Sequence, residues 1–133
     1  ACIGSDHAPH TREEKNTPYP ESPSGMPGVQ TLVPLMLDHV ARGRLSLERL
    51  AALLAANPRR IFGLPDQPAT YVEVDLEASY AIAGAGLHSK CGWTPFAGMA
   101  VTGRVRRVVL RGALAYDADV GVVAEPGSGQ VTP

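Results

Sequence analysis

Residues 1–11 read ACIGSDHAPHT, and the rest of the chain takes its meaning from them. ACIGS is short, with apolar and small residues, the composition of a buried strand. Asp6 stands at the C-terminal end of that predicted strand, followed at once by His7, with His10 three residues on. Pro9 lies between the two histidines, so an ordinary helix cannot carry them. A carboxylate at the C-terminal end of a strand is where α/β barrels place reactive groups. Such a group can ligate a metal and act as a base, and the histidines can ligate metal or bind an anion. The residue pattern alone leaves a second reading open, in which Asp6 caps the loop and the histidines decorate the surface. A His-x-x-His outside a helix is a weak metal signal, and no Cys or Glu cluster completes a site.

Outward from this stretch runs a long loop, HAPHTREEKNTPYPESPSGMPG, with five prolines between positions 9 and 27. A loop of this length without secondary structure of its own is functional or disordered. Leu32, Leu35, Met36 and Val40 then recur at spacings of three and four, which predicts a helix over 31–42. Pro34 is tolerated in its first turn, and Gly43 is placed to stop it. Ser46 is the expected N-cap of a second helix with Glu48 in its first turn. Leu47, Leu50, Ala51 and Leu54 form its expected buried stripe. Asn57 and Pro58 are expected to end that helix and open a short third one, stopped by Gly63.

Past GLPDQP the pattern changes. Val72, Val74 and Leu76 alternate with Glu73 and Asp75, a strand pattern. RVRRVVLRG at 104–112 reads as a second strand and ALAY at 113–116 as its hairpin partner, with Gly112 near the turn. Two regions follow: 1–64, with one strand, a loop and helices, and 65–133, with short strands and a flexible tail from about residue 124. Neither closes a core alone. One strand followed by helices is a fragment of an α/β sheet or barrel. The chain opens on Ala rather than Met, so it is expected to be a piece of something longer or a cleavage product.

Composition narrows the classes. The 133 residues hold 12 Lys+Arg and 13 Asp+Glu, so no general nucleic-acid or anionic-membrane binder is expected. No apolar run reaches transmembrane length and no signal-peptide pattern is present. Cys2 and Cys91, far apart, read as buried or incidental thiols rather than a disulfide, which points to a cytoplasmic setting.

SDHAPHTREEK followed by GMPGVQTLVPLML resembles the C-terminal part of dihydroorotases, in the amidohydrolase superfamily. The resemblance continues in order through RLSLERLAALLAANPRRIFGLP, TYVEVDLE, HSKCGWTPFAG and GRVRRVVLRGALAY, nearly the whole chain except the tail. NPRRIFGLP and TYVEVDLE most resemble the dihydroorotase domain of the animal multifunctional pyrimidine-synthesis protein. The resemblance implies the last strand and closing helices of a (β/α)8 barrel, in 1–64. It implies the C-terminal strands of a small composite β-domain in 65–133. A whole barrel takes roughly 250 residues, so the remainder of the barrel must come from elsewhere.

The resemblance also implies roles. Asp6 matches the metal-binding aspartate that serves as general base. His10 matches the histidine that binds the substrate carboxylate. Ser24 and Gly25 fall where backbone groups meet the pyrimidine ring. The implied cofactor is one or two Zn ions, whose other ligands lie outside this chain. The implied reaction is reversible cyclisation of N-carbamoyl-L-aspartate to dihydroorotate, with the segment alone expected to be inactive. Aspartate transcarbamoylase is a possible partner. The alternatives are a cyclic amidase of allantoinase or hydantoinase type, or a non-catalytic scaffold. His7 is expected to make a structural hydrogen bond. Lys90, Trp93, Phe96, His39 and His88 read as packing residues. Gln30 departs from the Glu of many relatives and keeps hydrogen bonding without charge.

Overall fold

The computed structural model describes residues 1–129. The element order is α1 Arg12–Lys15, α2 Leu32–Ala41, α3 Leu47–Ala51, a π-helical stretch Ala52–Ala56, α4 Asn57–Phe62, β1 Tyr71–Ala81, β2 Ala100–Leu110, β3 Ala113–Asp117 and β4 Gly121–Val122. The four strands form one antiparallel sheet in the order β1-β2-β3-β4. The expected tail extends past these elements, and its last four residues, 130–133, lie outside the described residues.

The expected strand at 1–5 does not form among the described residues. The stretch has extended composition but no ladder, because no neighbouring strand lies beside it; its one main-chain anchor is Ile3 N–H to the Leu53 carbonyl, 3.2 Å. That anchor traces back to Pro58. Proline has no N–H and its ring crowds the carbonyl four residues back. The helix widens through Ala52–Ala56, where the Asn57 amide bonds to the Ala52 carbonyl, five residues back. In that wider spacing the Leu53 carbonyl would look to residue 58, which has no N–H to give, and Ile3 takes it instead. Asn57 is therefore helical, at φ −71° and ψ −46°, and does not cap a separate helix as expected. Its side-chain amide donates to the Ala1 carbonyl at 2.7 Å. The other punctuation holds: Ser46 accepts from the Arg49 amide, and Gly43 and Gly63 are left-handed at φ 68° and 64°.

The helices pack differently from the expected stripes. On α2 the buried residue is Leu37, with Leu32, Leu35, Met36 and Val40 only half-buried. On α3 Leu50 is buried, while Leu47 and Ala51 are exposed. The reason for Leu37 lies in β2. Gly103 has φ 108°, and a Cβ there would sit 2.4 Å from the Leu37 Cβ, so the absent side chain is what lets α2 approach the sheet.

Gly103 is also skipped in the strand pairing, where Asp75 pairs with Arg104 and Ser79 with Thr102. Asp75 Oδ1 accepts the Glu77 and Ala78 amides at 3.0 and 3.1 Å, which takes 76–78 out of the ladder. At this bulge the Thr102 amide donates to Asp38 Oδ1 of α2 at 3.1 Å, and Arg42 donates to Asp38 Oδ2 at 2.6 Å. The expected hairpin forms as read: Leu110 pairs with Ala113 across a two-residue turn with Arg111 at φ 50° and Gly112 at φ 80°. Ile82, Val101, Val109 and Ala115 complete a small core with Leu37 and Leu50.

Candidate functional site

Two strips of main chain, some twenty residues apart in sequence, lie side by side to form the site. His7 and Met26 form a parallel bridge, and the Ala8 amide donates to the Met26 carbonyl at 3.1 Å. His7 Nδ1 accepts the Gly28 and Val29 amides at 3.1 and 3.3 Å, so the ring nitrogen is an acceptor and its structural role is as expected. Two glycines make the close approach possible. A Cβ on Gly25, at φ 106°, would lie 2.7 Å from the Ala8 Cβ, and one on Gly28 would lie 2.6 Å from the Ser5 carbonyl oxygen. Gly25 is thus set against Ala8, between Asp6 and His10 in the opposite strip, with Ser24 next to it in sequence. Asp6 is exposed and has φ 46°, an unusual conformation for a residue other than glycine.

The middle of the loop is not structureless. Thr11 and Glu14 form a capping box: the Glu14 amide donates to Thr11 Oγ1 at 3.2 Å and the Thr11 amide to Glu14 Oε2 at 2.7 Å. The T-x-x-E spacing in TREE carries that signal in the sequence. The same Glu14 Oε2 lies 3.5 Å from His10 Nδ1. The Thr11 amide first, and the His10 ring after it, hold the Glu14 carboxyl below the usual carboxylate range. Lys15 Nζ donates to the Pro23 carbonyl at 2.6 Å and Ser22 Oγ to the Lys15 carbonyl at 3.1 Å, closing the loop on itself.

The segment 82–99, between β1 and β2, reaches back to this loop. The Trp93 indole Nε1–H donates to the His10 carbonyl at 2.7 Å, and the His88 amide to Gln30 Oε1 at 2.8 Å. Spacing gives no warning of a contact across 83 residues. A cleft of about 680 Å³ opens between the loop, α2 and the sheet, lined by His7, Gln30, Tyr80, Arg104, Val108 and Tyr116 among others. The Arg104 guanidinium lies 5.6 Å from the centre of the Tyr80 ring, and burial pushes the Tyr80 phenol up. Asp6, His10, Ser24 and Gly25 do not line this cleft.

The chain is 52% identical over 129 residues to the multifunctional protein CAD of Squalus acanthias, covering 97% of this chain and 6% of that protein. It is 42% identical over 124 residues to a dihydroorotase of Halobacterium salinarum, covering 88% of this chain and 29% of that one. Over nearly its whole length the chain is similar to a segment of these proteins. No family model matches it. The solved L-hydantoinase (dihydropyrimidinase) of Arthrobacter aurescens superimposes with a TM-score of 0.92 at 32% identity, covering 99% of this chain and 32% of that one. The inactive dihydroorotase-like domain of a Chaetomium thermophilum CAD-like protein gives 0.66 at 33% identity, covering 75% and 28%. The expected fold is therefore that of an amidohydrolase segment. The chain spans about 6% of the length of the multifunctional relatives it matches and under a third of the dihydroorotases.

Among the described residues, no group of three or more His, Cys, Asp or Glu stands together as a metal would require. Asp6 offers one carboxylate, and His7 Nδ1 is already committed to two amides. Cys2 and Cys91 are both free thiols. Ser89 Oγ, 2.9 Å from Cys91 Sγ, lowers that thiol from its ordinary value. No helix among the described residues is long and apolar enough to cross a membrane.

Proposed function

We propose that this chain is the C-terminal segment of a dihydroorotase. The reaction would be the reversible cyclisation of N-carbamoyl-L-aspartate to (S)-dihydroorotate in de novo pyrimidine synthesis. The observation that carries this reading is the match to CAD and to dihydroorotases over nearly the whole chain, with SDHAPHT inside it. In this reading residues 1–64 close a (β/α)8 barrel and 65–133 contribute to a small β-domain. The remainder of the barrel is the first partner, and aspartate transcarbamoylase a further one, in the cytoplasm.

Asp6 would be one ligand of a Zn site whose other ligands come from outside these residues. The metal would supply Lewis acidity and an activated water. The chain's own part is narrower. Asp6 takes a proton in ring opening and returns it in ring closure. His10 holds the carboxylate of the substrate, away from the bond that breaks. Ser24 and Gly25, the latter set against Ala8, would offer main-chain groups to the ring. The exposed, left-handed Asp6 fits a group presented to a partner surface better than one capping its own loop, since its carboxylate accepts no loop amide among the described residues.

The L-hydantoinase likeness supports a second reading, a cyclic amidase acting on rings without a carboxylate. The test is Asp6→Asn in the full-length polypeptide, assayed on dihydroorotate and on hydantoins with metal content measured alongside. Loss of a general base lowers kcat by at least about 10²-fold. Near-normal kcat with metal retained would remove Asp6 from the chemistry. Turnover of hydantoins above dihydroorotate would favour the second reading.

A further inference from the structure

Trp93 is the sole tryptophan of the chain, half-buried, and its indole N–H is spent on a carbonyl in another part of the molecule. That carbonyl is His10's. The His10 ring has Glu14 Oε2 3.5 Å from its Nδ1, and Glu14 is itself fixed by the capping box. Main chain and side chain of His10 are thus held by different elements. The Trp93 segment is well anchored for this work. Thr94 beside it is buried, with its hydroxyl accepting the Phe96 amide at 3.3 Å. The Ile82 amide donates to the Met99 carbonyl and the Gly98 amide to the Ile82 carbonyl, both at 2.9 Å, closing the base of the segment onto the sheet. The His88 amide on Gln30 supplies a second tie to the site loop.

Resting on the assignment of His10 to an anionic group of the substrate, we infer that Trp93 is a positioning residue which sets, through the His10 carbonyl, where the His10 imidazole points. Pro9 restricts the backbone on one side of His10 and the α1 cap fixes it on the other. The peptide unit between His10 and Thr11 is held at both ends, its N–H by Glu14 Oε2 and its carbonyl by the indole, and the indole bond is the one tie that comes from outside the loop. The small sheet therefore takes part in substrate recognition without touching substrate, and carboxylate selectivity is shared between the loop and the 82–99 segment.

The test replaces Trp93 with β-(3-benzothienyl)alanine, which keeps the bicyclic shape and exchanges the N–H for sulfur, in the full-length polypeptide. KM for dihydroorotate should rise about 3–10-fold, the scale of one lost hydrogen bond, with kcat within about twofold. Uncharged cyclic amides should keep their KM. In the full-length polypeptide the Trp93 indole N–H resonance, assigned by its loss in Trp93→Phe, should be protected from exchange and should shift when dihydroorotate binds. His10→Asn is measured in parallel. If it weakens dihydroorotate while the Trp93 isostere does not, Trp93 is only packing and the proposal falls alone. If neither changes dihydroorotate binding, the assignment of His10 falls and takes this inference with it. An isostere that raises KM equally for charged and uncharged rings also overturns it.

Discussion

The seam between α2 and β2 and the loop at 5–29 are both built on missing side chains, to opposite ends. At the seam, Gly103 lets the buried Leu37 reach the sheet, and the contact is apolar and closed. In the loop, Gly25 and Gly28 let two strips of main chain meet, and the result is exposed and polar. The seam holds by burial, whereas the loop holds by amides on His7, by the Thr11–Glu14 cap and by Trp93. Glycine thus serves packing in one place and presentation of the proposed site residues in the other, and substitutions should separate stability from function accordingly.

The sharpest break should come at the seam. Gly103→Ala puts a methyl group into Leu37 and strains a positive φ, so unfolding stability should fall by about 3 kcal/mol or more. Urea titration followed by circular dichroism measures it. An unchanged midpoint would mean that α2 can back away at no cost and that the seam is not a fixed joint. The loop counterpart is His10→Asn, which should weaken dihydroorotate binding by about 1.5–3 kcal/mol in the full-length polypeptide and leave the unfolding midpoint where it was. A matching loss of stability would erase the distinction between the regions.

Gly25→Ala comes next. It meets Ala8 within 2.7 Å at a positive φ, so a local cost of about 1–3 kcal/mol should open the loop. Hydrogen exchange at the Ala8 and Gly28 amides should speed up while the Val101 and Val109 amides stay protected. The smallest effect belongs to acid. The Arg42 guanidinium first, and the Thr102 amide after it, hold the Asp38 carboxyl below its ordinary value. A depressed carboxylate contributes stability above its unfolded value, near pH ~3.9, which is lost as the pH falls through the folded one. Stability should be level in this respect above about pH 5 and decline below about pH 4, and Asp38→Asn should flatten that decline. A variant with the same acid limb would exclude Asp38 as its source.

What could be read in advance divides along the same line. Caps and turns are local chemistry, so Ser46, Gly43, Gly63 and the Arg111-Gly112 hairpin were legible residue by residue. The cap at Thr11 and Glu14 was equally local, but the prolines around it obscured it. Leu37 was not legible, because α2 is apolar on more than one face and only Gly103, 66 positions on, selects between them. The strand at 1–5 was expected from composition, yet a strand exists only beside a partner. In the loop, Asp6 and His10 were visible from resemblance. The contacts that shape them, His7 with Gly28 and Trp93 with His10, depend on the fold of distant segments.

Pro58 gives the helix at 47–62 a peculiar economy. Helix-propensity scales count a proline there as a defect, and its replacement by alanine as a gain. Here the defect is a socket. The carbonyl it leaves vacant on Leu53 is the one to which Ile3, three residues before Asp6, is fastened. Restoring the N–H would knit the helix and unfasten the lead-in to the loop of the proposed site in the same stroke. The substitution that makes the rod sounder would leave the residue it steadies adrift.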